Sequence, residues 1–75
     1  MTDEHIEAPK SANERREQLF QAMRKGGGTW DWTRARETYY EHQDPRTVRR
    51  DLEQLRKAGR VFRDRETGRY EAVGY

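Results

Sequence analysis

Hydrophobic positions are sparse along this chain, and their spacing is what predicts its elements. The clearest pattern runs from Asp44 to Val61, DPRTVRRDLEQLRKAGRV. Val48, Leu52, Leu55 and Ala58 recur at i, i+4, i+7 and i+10, one stripe of a helix. Asp44 is placed to cap that helix, and Pro45 opens it at the first position, where a missing N–H costs nothing. Gly59 supplies the left-handed residue that ends it. A helix is therefore predicted over 45–58, with Arg46, Thr47, Arg49, Arg50, Gln54 and Lys57 on its outer side.

Upstream, Ser11 and Glu14 have the spacing of a capping box. They predict a first helix with Ala12, Leu19, Phe20, Met23 and the stem of Arg16 on its core face, stopped by Gly26-Gly27-Gly28. Thr29 to Trp32 alternates and predicts a short strand with both Trp side chains on one face. Asp31 or Thr33 then caps a second helix reaching about His42, with Ala35 and Tyr39 inward and Trp32 close by. His42-Gln43-Asp44 turns into the third helix. Residues 60–63 and 69–73 are β-like runs around a loop at 64–68, where Gly68 signals a hairpin. Residues 1–10 lack periodicity and contain Pro9, predicting a disordered arm ahead of one domain at 11–75. The order helix, strand, helix, helix, strand, strand predicts an α+β winged helix-turn-helix. The hairpin is its wing, and the 29–32 strand completes a small antiparallel sheet.

Composition limits what such a domain can be. In 75 residues, 31% hydrophobic and 40% charged, the core is expected to be thin. Two Trp, four Tyr and two Phe supply the bulky anchors that disordered chains lack. Without Cys there is no disulfide scaffold, Cys-based zinc site or thiolate nucleophile. No apolar run approaches the roughly 18 residues of a membrane span, and no signal-peptide core is visible, so a cytoplasmic protein without membrane contact is expected. His5 and His42 have no cluster of ligands around them, and no Ser-His-Asp or paired-carboxylate pattern occurs. Neither an enzyme nor a metal, cofactor or small-molecule site is expected. Gly26–Gly28 lacks the Lys-Ser/Thr of a phosphate-binding loop and follows a helix, so it reads as a plain loop.

Charge changes the picture more through placement than through total. The net charge is only +2, yet residues 1–10 carry −2 and residues 45–58 carry +3. Thirteen of the sixteen basic residues are Arg, whose forks bind phosphate and guanine edges bidentately. GC-rich coding would also enrich Arg, which is why position carries the argument. Arg46 and Arg50 form the expected base-reading pair, with Arg49 beside them as a phosphate contact. Arg63, Arg65 and Arg69 lie along the wing, where Arg suits phosphates or a narrow minor groove. Thr33 and Arg34 at the start of the second helix, and Tyr40, are further phosphate candidates. The competing reading is a solvated face with Arg49–Glu53 and Arg50–Glu53 pairs, and an ordinary charged hairpin. Trp30, Trp32 and Tyr39 are expected in the core. Asp51 is expected to salt-bridge within the domain, because phosphates would repel it.

The segment Thr47-Val48-Arg49-Arg50-Asp51-Leu52, continued by Leu55, Gly59 and Val61, resembles the recognition helix of deoxyribose-repressor-type winged-helix bacterial regulators. The resemblance covers about eighteen residues. It implies that Thr47, Arg49 and Arg50 face DNA while Val48, Leu52 and Leu55 are core. Two features depart from that pattern: Gln43 stands where an apolar turn residue is usual, and the second helix lacks Leu-rich spacing, which predicts a longer turn. The sugar-phosphate effector domain of those regulators has no counterpart in this sequence, so no metabolite sensing is expected. The resulting expectation is a small transcriptional regulator of the repressor kind, of prokaryotic, viral or plasmid origin. It would bind double-stranded DNA with helix 45–58 in the major groove and the 60–72 hairpin as wing. A homodimer would use the first helix, Val73–Tyr75 or DNA itself. Two alternatives remain beside it: a winged-helix protein-interaction adaptor, and a DNA-binding accessory of replication, plasmid partition or phage recombination.

Overall fold

A computed structural model describes residues 9–41 and 43–73. The first helix, α1 (Ala12–Gly26), begins where the Ser11 side chain accepts from the Glu14 N–H at 3.1 Å. Glu14 completes only half of a capping box, since its carboxylate accepts from the Lys10 N–H rather than from Ser11. Gly26 is its last residue, where a Cβ would lie 2.9 Å from the Trp30 ring, and Gly27 ends it at φ +67° with its N–H donating to the Met23 carbonyl. The short α2 (Trp32–Arg36) is capped by Asp31, whose side chain accepts from the Arg34 N–H at 2.9 Å. In α3 (Pro45–Lys57), Asp44 accepts from the Arg46 N–H at 2.8 Å, and Pro45 occupies the first turn as expected. Gly59 follows at φ +78°, a conformation that side chains with a Cβ rarely adopt.

The chain ends its described part in an antiparallel hairpin of β1 (Val61–Arg63) and β2 (Tyr70–Ala72), with Val61 opposite Ala72 and Arg63 opposite Tyr70. Three helices and a two-stranded sheet thus form a small α+β arrangement. Its core joins Leu19, Phe20 and Met23 of α1 to Trp30, Ala35, Val48, Leu52, Leu55, Val61 and Tyr70. Trp32, Tyr39 and Ala72 pack against it from the rim.

One polar residue lies in this core. Asp51 is 0% exposed and accepts two hydrogen bonds from Arg15, at 2.6 and 2.8 Å. The Tyr39 hydroxyl donates to it at 2.8 Å, and Arg16 stands 3.6 Å away. The expected internal salt bridge is therefore present, and it ties α1 and the turn after α2 to the middle of α3.

Several expectations are corrected. The 29–32 strand is reduced to one bridge, in which Trp30 and Tyr70 exchange two backbone hydrogen bonds of 2.7 Å. Alternation stops there because Asp31 caps α2 and Trp32 is already helical. The element order thus lacks the predicted first strand, and the two Trp side chains do not share an extended face. The second helix stops at Arg36 rather than near His42. The N–H groups of Glu37, Thr38 and Tyr39 bond three residues back, and the Thr38 hydroxyl donates to the Ala35 carbonyl, tightening the chain into turns. Ala12 and Ala58 are exposed, each in the end turn of its helix beyond the reach of the core. The first strand begins a residue later than expected and the second is a residue shorter at each end, though Arg60 with Val73 and Asp64 with Arg69 each add a ladder bond. Most of the 1–10 arm, His5, His42 and the Gly74–Tyr75 terminus lie outside the described residues.

Leu52 is fully buried mid-stripe on the helix against which α1, α2 and β1 all pack. Leu52→Ala is expected to lower unfolding free energy by about 2–5 kcal/mol, read by urea denaturation. That approaches the whole stability of a domain this small. A variant as stable as the parent would show that the helix phase is wrong.

Candidate nucleic-acid interface

Fixing one face of α3 in the core also fixes which side chains point away from it. At about 100° per residue, Arg46, Arg50 and Lys57 fall within about 40° of one another, opposite Val48, Leu52 and Leu55. All three are exposed and make no side-chain hydrogen bond or ion pair among the described residues. Arg49 lies on the neighbouring strip, exposed, with its guanidinium 5.4 Å from the centroid of Trp32. Gln54 is exposed and Thr47 half-buried on the other flank.

Of the two acids of α3, Asp51 is turned away from this face, whereas Glu53 borders it and is bonded to other partners. Asp51 is buried in its own network. Glu53 accepts from Arg56 at 3.0 and 2.9 Å and from the Tyr70 hydroxyl. Those bonds, Arg56 first, hold the Glu53 carboxyl below its ordinary range. The Arg49–Glu53 and Arg50–Glu53 pairs of the competing reading do not form, because Glu53 is bonded to Arg56 and Tyr70 instead. Arg46, Arg50 and Lys57 are thus left without an ion pair among the described residues, although Asp44 and Glu53 lie within a turn of them.

On the hairpin, Arg63, Arg65 and Arg69 are all exposed. Asp64 is turned into its own loop, accepting from the Glu66 and Thr67 N–H groups at 2.7 and 3.3 Å. Gly68 closes the loop at φ +74° by donating to the Asp64 carbonyl at 2.8 Å. Glu66 remains as an exposed acid near the tip.

The candidates around α2 are placed differently. Thr33 and Arg34 are both exposed, and Arg34 also stacks 3.8 Å over the Trp30 ring and donates to the Thr29 carbonyl at 2.9 Å. The Asp31 carboxylate already occupies the start of that helix. Tyr40, 53% exposed, lines a cleft of about 270 Å³ between the start of α1 and residues 38–43, with Lys10, Arg15 and Tyr39. The pattern along the sequence also passed over Arg56 and Phe62, which share an open groove with Arg63 and Arg65. Strand alternation with Val61 as the core residue is the signal that places Phe62 on the outer side.

Among the described residues, no cluster of three or more His, Cys, Asp or Glu could hold a metal ion. No helix among them is long and apolar enough to cross a membrane. Comparison with protein-family models, curated proteins and solved structures returned no match.

The hairpin's contact with α3 has a pH signature. Burial first, and then its hydrogen bond to Glu53, push the Tyr70 phenol up to about 12. The unfolded phenol ionises near its ordinary 10, so the folded state holds this proton longer. The stability it contributes is complete below pH 10 and is lost as pH rises through about 12. Urea unfolding across that window is expected to show a shallower loss in Tyr70→Phe than in the parent. An identical slope in the two proteins would contradict the assignment.

Proposed function

We propose that this chain is a winged-helix double-stranded DNA-binding domain, acting as a small transcriptional regulator. Helix α3 enters the major groove and the β1–β2 hairpin braces the backbone as a wing. The observation that carries the reading is the outward row of Arg46, Arg50 and Lys57, which make no ion pair among the described residues while Asp51 is buried with Arg15 and Glu53 is bonded to Arg56 and Tyr70. Arg46 and Arg50 are one turn apart, the spacing needed to reach neighbouring base edges. Arg49, with Arg63, Arg65 and Arg69, supplies phosphate contacts. The resemblance of Thr47–Leu52 to deoxyribose-repressor-type recognition helices supports the same assignment. Arg34, committed to Trp30 and Thr29, has a packing role and is a weaker candidate than its position suggested.

Binding of this kind releases counterions from DNA. Four to five neutralised phosphates imply that log affinity falls with log salt with a slope of about −4 per monomer. Fluorescence anisotropy with a duplex at several salt concentrations measures it. A flat dependence, or no binding at low salt, would remove DNA recognition as the function and favour an adaptor role.

Base reading and backbone holding separate by mutation. Arg50→Ala is expected to reduce discrimination between a selected target and random DNA by about 1–3 kcal/mol, as loss of a bidentate Arg–guanine pair does. Arg65→Ala is expected to weaken both DNAs equally and to lower the salt slope by about one unit. If Arg50→Ala leaves the ratio intact while Arg65→Ala abolishes it, the wing reads the sequence and α3 only positions it.

A further inference from the structure

Three of the four Phe and Trp rings in this chain carry an arginine over one face. Arg24 and Arg60 lie 5.8 and 4.6 Å from the centroid of Phe20, and Arg34 lies 3.8 Å from that of Trp30. Arg36 and Arg49 lie 6.0 and 5.4 Å from Trp32. Phe62 differs: among the described residues no guanidinium covers its ring. Yet Arg56, Arg63 and Arg65 line the same open groove as Phe62 and Val61, about 600 Å³ in volume. Phe62 is 50% exposed, because alternation in β1 sends Val61 into the core and Phe62 to the opposite side, facing Glu71 across the hairpin. In a chain this poor in hydrophobic residues, one phenyl is left out of the core with a bare π-face beside three cations.

That combination fits a planar ligand carrying phosphates on both sides. We infer that the groove is a second nucleic-acid contact, one that accepts an unpaired base stacked on Phe62, with the flanking phosphates held by Arg63 and Arg65. The inference rests on the DNA-binding reading above and extends it from duplex to distorted or partly single-stranded DNA. Every base offers a π-face, so stacking on Phe62 is indifferent to sequence. Arginine forks match the phosphates that a splayed base leaves exposed. Of the acids nearby, Asp64 is committed to its loop and Glu53 to Arg56 and Tyr70, while Glu71, half-buried across the hairpin from Phe62, and Glu66 near the tip are the two that the cations of the groove must outweigh. An acidic peptide would satisfy the arginines too, but an open groove with one uncovered ring offers stacking rather than an enclosed side-chain pocket.

The test uses the full chain with a perfect duplex, the same duplex carrying one unpaired 2-aminopurine, and an acidic peptide with a single tryptophan. The parent is expected to prefer the bulged duplex and to quench 2-aminopurine fluorescence on binding. Phe62→Ala is expected to weaken bulged-duplex binding about 5- to 150-fold and to lose the quenching. It is expected to hold perfect-duplex affinity within about twofold and to melt like the parent, since the side chain is half-exposed. Phe62→Tyr is expected to restore both preference and quenching. A preference that survives Phe62→Ala would overturn the inference. Steeply salt-dependent duplex binding with no preference for the bulge would overturn it alone, leaving the DNA-binding reading intact. Absence of binding to either DNA would overturn both. Tighter binding of the acidic peptide than of the bulged duplex, lost in Phe62→Ala, would make the groove a peptide site and the inference wrong.

Discussion

At the centre of the fold one carboxylate, that of Asp51, is taken fully out of water. A charge removed from water needs partners in good geometry, and Asp51 has a two-pronged Arg15 fork, the Tyr39 hydroxyl and nearby Arg16. Those partners come from α1 and from the turn after α2, so a single side chain of α3 fixes the orientation of both neighbours. The effect reaches the partners as well. Burial, followed by the bond to Asp51, holds the Tyr39 phenol well above its ordinary range, and the same carboxylate raises Arg15 further above its own. Net stability is not the main consequence, because a buried ion pair gains little over a well-packed apolar replacement. Removing one partner alone, however, strands a charge in the core. The network therefore allows few rotations of α3 about its axis.

Once that phase is set, the opposite face of α3 follows without further choice. Val48, Leu52 and Leu55 face inward beside Asp51, and Arg46, Arg50 and Lys57 face out. The hairpin adds the second half of the arrangement by drawing Glu53 toward Arg56 and Tyr70. Both acids of the helix are bonded within the domain, and the cations Arg46, Arg50 and Lys57 are left exposed without ion pairs. The same economy recurs across the molecule, where arginines cover Phe20, Trp30 and Trp32 and so extend a core that has too few aliphatic residues.

Much of this was legible in the sequence where local chemistry decides. Asp44, Pro45 and Gly59 marked α3, Ser11 marked α1, and the spacing of Val48, Leu52 and Leu55 gave the buried side. The internal pairing of Asp51 followed from charge alone, although nothing in the sequence named Arg15 and Tyr39 as its partners thirty-six positions upstream and twelve positions upstream. What failed were choices between competing hydrogen bonds. Asp31 had either to sit in a strand or to cap α2, and it capped. Thr38 bonded back to Ala35, and α2 ended early. Glu53 had arginines at three spacings on its own helix and took Arg56, because Tyr70 approached from that side. Arg34, exposed as expected of a surface residue, also lies over Trp30, a contact that the sequence did not name. Each outcome depends on a tertiary neighbour that local pattern does not contain.

In the proposed function, the face of α3 opposite Asp51 and the hairpin together meet DNA. A titration of isotopically labelled protein with a short duplex, followed by amide chemical shifts, reads that surface residue by residue. Shifts are expected to concentrate at Arg46, Arg49, Arg50 and Lys57 and along residues 63–69, with α1 largely unmoved. Shifts centred instead on the cleft between the start of α1 and residues 38–43, or no shifts at low salt, would contradict it.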